Sequence, residues 1–232
     1  MIPIRDTIPS RTAPVVTVAL IAVNVIVFLH EAALGPYLER FVFASGLVPR
    51  RLVYWPGDPL DPVRFLPLVT SMFWHGGWLH LIGNMLYLWI FGDNVEDKLG
   101  HFRFLIFYLV AGIAAALAQV ALDPTSTLPT VGASGAIAGV LGAYLISFPR
   151  SRVLTLIPII IFPWFVEIPA VIYLVFWFLL QLLEGVGQLG APAQAGGVAV
   201  WAHIGGFISG VVLVKLMEPA RRRPPAPVRD LY

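Results

Sequence analysis

Five polar side chains stand within stretches that are largely apolar: His75, His80 and Asn84 between residues 71 and 92, Ser134 between 132 and 148, and His203 between 200 and 217. A hydroxyl and an imidazole are the parts of a nucleophile and its general base. His80 and Asn84 stand four apart, on one face of a helix, and both can donate hydrogen bonds, which suits the charge that develops on an attacked carbonyl oxygen. A metal site is the weaker reading of the same residues, because no H-E-x-x-H pattern is present and asparagine is a poor zinc ligand. An aspartyl mechanism needs two carboxylates at membrane depth, and Asp93 belongs instead to the charged stretch "GDNVEDKLG". The chain has no cysteine, which excludes a thiol nucleophile, disulfides and thiolate metal sites.

Taken singly, these residues have ordinary explanations. A serine in a membrane helix usually bonds back to the carbonyl four residues earlier, and a buried histidine often serves packing. The surrounding glycines add weight to the chemical reading. Gly132, Gly135, Gly139 and Gly142 follow steps of three, four and three, and His203, Gly206 and Gly210 follow steps of three and four. Two such small-residue faces let helices approach more closely than the usual separation of about 8 to 10 Å. The short side chain of Ser134 then comes within about 3 Å of a His203 nitrogen. Ser134 also falls near a helix N-terminus, where free N–H groups and the helix dipole favour developing negative charge.

The elements that must position these residues follow from composition. Of 232 residues, 58% are hydrophobic and 12% charged, against about 25% charged in an ordinary soluble domain. The chain therefore reads as a polytopic membrane protein, in which backbone groups pair within helices. Apolar runs predict six spans, near residues 14–29, 71–92, 104–122, 132–148, 166–183 and 200–217. The apolar stretch "VLTLIPIIIFPWF", broken by Pro158 and Pro163, predicts an interfacial or re-entrant lead-in, with Glu167 and Pro169 in the first turn of the fifth span. Residues 1–13 are expected as a cytoplasmic segment, 14–217 as the six-helix domain, and 218–232 as a disordered basic tail.

A cleavable signal peptide over residues 1–33 is the alternative for the first span, but its length and the lack of a clear small-x-small site favour a retained helix. Eleven of the fifteen Lys and Arg residues fall on the side of the termini, which places both termini in the cytoplasm. That spread over short loops and a tail fits membrane topology, and no nucleic-acid partner is expected. The outer loop, residues 30–70, is expected to rest partly in the interface. At about 1.5 Å per residue, Ser134, His80 and His203 lie at one level in the outer half of the bilayer.

The motifs "HGGWLHLIGNM" at 75–85, "GDNVEDKLG" at 92–100, "GASGAIAG" at 132–139 and "AHIGGFISG" at 202–210 resemble those of rhomboid intramembrane serine proteases, in the same order and at matching depth. The resemblance covers all six spans and implies an all-α, six-transmembrane-helix bundle without metal or cofactor. It implies Ser134 as nucleophile, His203 as general base and then acid, and an oxyanion hole of His80, Asn84 and the Ser134 backbone N–H. Gly132, Gly135, Gly139, Gly206 and Gly210 are the expected helix-packing positions.

No third acid is offered by the motif, so a Ser-His dyad is expected, and Ala138 stands where many members carry an aromatic support for the histidine. The first loop lacks the adjacent Trp-Arg pair of several members, since Trp55 and Arg64 are separated. Substrates implied are single-span membrane proteins, reached within the lipid bilayer of a bacterial cell (inner) membrane. Residues 184–197, "EGVGQLGAPAQAGG", are expected as a mobile cap, with the fifth span moving to admit substrate. The rival readings are a non-catalytic relative that binds membrane helices, and a small transporter or proton relay, which the lack of an internal repeat weakens.

Overall fold

A computed structural model describes residues 1–159, 162–188 and 198–218. Among these, nine α-helices and one small sheet follow in chain order: β1 (Ile2–Asp6), α1 (Val15–Ala33), α2 (Leu38–Ser45), α3 (Pro49–Val53), α4 (Pro67–Thr70), α5 (Trp78–Leu99), α6 (His101–Leu122), α7 (Ser134–Ser147), β2 (Arg152–Ile159), β3 (Phe162–Pro169), α8 (Ala170–Gln188) and α9 (Val200–Met217). The architecture is an all-α membrane bundle with a sheet appended at one end. Helices α1, α6, α8 and α9 are long and apolar enough to cross a membrane, and α7 is a shorter apolar helix. α7 has 14 residues, a length of about 21 Å at 1.5 Å per residue, less than the hydrocarbon thickness of about 30 Å. It is therefore too short to cross the hydrocarbon layer by itself.

Leu88, Phe91, Phe104, Phe107, Tyr108 and Tyr144 form the fully buried centre, contributed by α5, α6 and α7. The charged end of α5 explains "GDNVEDKLG": the fully buried Glu96 carboxylate accepts from the Val16 and Thr17 backbone N–H groups, at 2.8 and 2.7 Å, and from the Thr17 hydroxyl. It thereby satisfies the open N-terminal turn of α1. Gly100, at φ +80°, supplies the turn from which α6 starts back alongside α5. Lys98 on α5 pairs with Glu218, just past α9, at 3.0 Å, and Thr12 bonds Asp97, so the first helix begins and the last ends at the same end of the bundle.

Helices α7 and α9 approach with no side chain between them. A Cβ on Gly206 would collide with the Gly135 carbonyl, one on Gly210 with the Gly139 carbonyl, and one on Gly142 with the Phe207 carbonyl. A Cβ on Gly135 or Gly139 would instead press within 2.7 or 2.6 Å of Ala115 or Ala111 of α6.

The stretch before the fifth span differs from expectation. Residues 152–159 and 162–169 pair as antiparallel strands, and β1 adds to β2, giving the order β1-β2-β3. Glu167 and Pro169 thus lie in β3, not in a helical first turn, and α8 begins at Ala170. The physical reason is that β-branched and aromatic residues favour pleated pairing, while Pro158 and Pro163 face each other beyond the reach of β1, where a missing N–H costs least. The first thirteen residues carry strand β1. Residues 38–70 fold into α2, α3 and α4 with intervening single turns. Most of the expected cap at 184–197, and the expected tail beyond Glu218, lie outside the described residues.

Candidate active site

Ser134 is the first residue of α7, so its N–H has no acceptor within the helix. His203 lies one turn into α9 and is buried. The glycine contacts between these helices bring Ser134 Oγ to 2.8 Å from His203 Nε2. The other ring nitrogen, Nδ1, stands 2.7 Å from Oε1 of Gln181 on α8. An amide oxygen only accepts, so this contact suits the tautomer that has its proton on Nδ1 and its Nε2 lone pair toward the serine hydroxyl. Trp177, one turn before Gln181, lies against the imidazole with ring centroids 5.8 Å apart. These two α8 side chains support the ring where Ala138 cannot.

His80 and Asn84 project from one face of α5 toward the same place. The Gly76 N–H donates to His80 Nδ1 at 3.3 Å, which leaves the proton on Nε2. Asn84 Nδ2 is buried with no protein acceptor, a donor directed into the cavity beside Ser134. Gly132 is not on the α7 packing face where the three-and-four spacing put it. It precedes the helix at φ +124°, and a Cβ there would stand 2.7 Å from the His80 ring and 3.6 Å from Asn84 Nδ2. Its N–H donates to Ser71 O at 2.9 Å, which pins the approach to Ser134. Gly132 therefore makes room for the two donors, a role that helical spacing hid because the residue lies outside the helix.

His75 lies ahead of α5, although the span expected from residue 71 contained it. It is buried, its N–H donates to the buried Glu31 carboxylate of α1 at 3.1 Å, and its ring lies 5.1 Å from that of His80. Gln119 on α6 accepts from the Ala202 N–H at 3.2 Å, holding the first turn of α9. Gln181, Trp177, Gln119 and Glu31 are absent from the residues singled out by sequence. The signal for the first pair was there: Gln181 is an amide inside the apolar run "VIYLVFWFLLQLL", four residues after Trp177 and so on one helical face.

A cavity of about 980 Å³ opens onto Ser134 and His203, lined also by His80, Asn84, Ala138 and Trp177. It brings together a hydroxyl, a base with a free lone pair and two neutral donors, and it has room for water and an extended peptide segment. This set can carry out acyl transfer.

The Rhomboid domain family model matches residues 62–219. The chain is similar to presenilin-associated rhomboid-like protein A, mitochondrial, of Danio rerio, 32% identical over 146 residues that cover 62% of this chain and 35% of that protein. It is similar to rhomboid protein 1, mitochondrial, of Saccharomyces cerevisiae, 30% identical over 168 residues, or 68% of this chain and 44% of the relative. Rhomboid protease GluP of Bacillus subtilis is 46% identical over 78 residues, 34% of this chain and 15% of that protein. The chain spans less than half the length of each. Two of these names are mitochondrial and one relative is bacterial, so the expected bacterial inner membrane gains no support from them; a multi-pass membrane protein does.

Proposed function

This chain belongs to the rhomboid family, and we propose that it is an intramembrane serine endopeptidase that cleaves the transmembrane segments of single-span membrane proteins with a Ser134–His203 dyad. The observation that carries this reading is the 2.8 Å separation between Ser134 Oγ and His203 Nε2. Ser134 Oγ attacks the scissile carbonyl carbon while Nε2 takes its proton. The carbonyl oxygen becomes an oxyanion that accepts from His80 Nε2–H, Asn84 Nδ2–H and the Ser134 N–H, donors each typically worth about 10² to 10³ in rate.

The imidazolium then gives its proton to the leaving amine nitrogen as the C–N bond breaks, and an ester remains on Ser134. Water, deprotonated by Nε2, attacks that ester and releases the acid and the free hydroxyl. The cavity supplies room for that water. Because the substrate's carbonyls are tied up in helical hydrogen bonds, a segment weakened by Gly, Pro or small residues is the favoured target. The start of α1 and the end of α9, which share one end of the bundle, face the cytoplasmic side in this reading.

Co-expression with a panel of single-span membrane proteins tests the reading. Wild type releases new fragments, and Ser134→Ala and His203→Ala, expressed at equal levels, release none. Fragments that persist in either variant reject the dyad. A fluorophosphonate probe that fails to label Ser134 in the wild type would favour a helix-binding relative without catalysis.

A further inference from the structure

We infer that Gln181 is a positioning residue that fixes the proton of His203 on Nδ1, so that the lone pair of Nε2 faces Ser134. The inference rests on the dyad reading above and adds to it the group that stands where a carboxylate would stand in a three-residue relay. Gln181 Oε1 lies 2.7 Å from Nδ1 and Ser134 Oγ 2.8 Å from Nε2, so the imidazole is held at both nitrogens. Gln181 is not among the residues that line the cavity, whereas Trp177 and His203 are. It therefore acts on the ring from behind and has no part in holding substrate.

An amide inside an apolar helix is costly unless it is bonded. The flanking positions Leu179, Leu180 and Leu183 are exposed to lipid, and the imidazole gives Gln181 its partner. The wrong tautomer puts a proton on Nε2, where it cannot accept from Ser134, and tautomer errors are costly in serine hydrolysis. A glutamine holds the tautomer without the charge that a carboxylate would add to the imidazolium. Ring orientation and proton placement are thus supplied here without a third acid.

The test uses the full chain reconstituted in liposomes with a single-span substrate. Gln181→Met keeps length and suits lipid but removes the amide oxygen; kcat falls about 10- to 100-fold while KM stays within about twofold. Gln181→Glu retains an acceptor and recovers most of kcat. Nitrogen-15 histidine spectra, with His203 assigned by comparison with His203→Gln, show Nδ1 protonated in wild type and Gln181→Glu, and a shift toward protonated Nε2 in Gln181→Met.

Full kcat in Gln181→Met with an unchanged tautomer overturns the inference. Equal loss in Met and Glu variants accompanied by a lowered melting temperature does so too, since that is the mark of packing alone. If Gln181→Met does not fold, protonated Nε2 in folded Gln181→Glu overturns it. Activity in Ser134→Ala in the same assay sinks the dyad itself, whereas an inactive Ser134→Ala beside a fully active Gln181→Met sinks only the role of Gln181.

Discussion

Helices α7 and α9 meet backbone to backbone, whereas α8 is held to the same bundle by contacts between side chains, and His203 has one ring nitrogen turned toward each region. On the α7–α9 side the Ser134–His203 distance is set by glycines whose Cα atoms lie against facing carbonyls. Repulsion there rises so steeply with distance that little play is possible. On the α8 side the contacts include the Gln181 bond, the Tyr87–Tyr173 hydroxyl pair at 2.7 Å and stacking of Trp177 and Phe178 on Phe207. Only Ala170, Tyr173, Leu174 and Gly185 of α8 are buried, and much of its length is exposed on the outside of the bundle. Distance and orientation of the base are therefore set by different parts of the fold. A shift of α8 can therefore leave Ser134 and His203 together while it carries the Gln181 amide away from the ring.

The same substitution made in both regions breaks this comparison most directly. Gly206→Ala drives a Cβ into the Gly135 carbonyl. Overpacking of that kind costs about 1 to 3 kcal/mol, and a helix displaced by about 1 Å costs about 10²-fold in rate. Proteolysis in liposomes should fall at least that far, with a lower melting temperature. Gly187→Ala on α8 meets nothing within 4 Å, and alanine is the better helix former, so activity and melting temperature hold or rise slightly. Equal effects at the two sites would remove the distinction.

A smaller change sharpens it. Tyr173→Phe removes one hydroxyl of the pair that joins α8 to α5, a loss of about 1 kcal/mol. Amide exchange in α8 should quicken while that in α7 and α9 stays as in wild type, and cleavage should change only a few-fold. Faster exchange across all three helices would mean that α8 is not a separate unit.

How much of this the sequence carried differs between the same two regions. Glycine spacing exposed the α7–α9 contact because a helix repeats every 3.6 residues and the small residues recur with it. The α8 side depends on tertiary pairing that spacing does not encode. Gln181 is one polar residue in an apolar run, and its partner lies 22 positions away on another helix. The foot of α8 was misread for a related reason: "VLTLIPIIIFPWF" is apolar as a strand or as a helix, and its pairing with β1 spans about 150 residues of chain. Gly132 was misplaced because its distance along the chain fits a helix that in fact begins two residues later.

The last and smallest prediction concerns that foot. β3 runs directly into α8, and β1, at the far edge of the sheet, is fastened to the α5–α7 core through Asp6, whose carboxylate accepts from the Tyr144 hydroxyl and from Asn94 Nδ2. The sheet thus ties the loosely held helix to the tightly packed one. Burial, with the nearby Asp93 charge adding to it, lifts the Asp6 carboxyl from 3.8 to about 6 despite the Tyr144 bond. An acid raised on folding stabilises in its protonated form, so the contribution is full below about pH 4 and is lost as pH rises through about 6. Exchange of the β1 amides should therefore quicken between pH 5 and 7 beyond its intrinsic dependence, roughly in step with that titration. Asp6→Asn keeps an oxygen for Tyr144 and carries no charge, so this extra dependence disappears and exchange at pH 7 is slower than in wild type. If the variant instead exchanges faster than wild type at pH 7, the carboxylate is a fastening in its charged form, and the foot of α8 is as firmly held as the glycine interface.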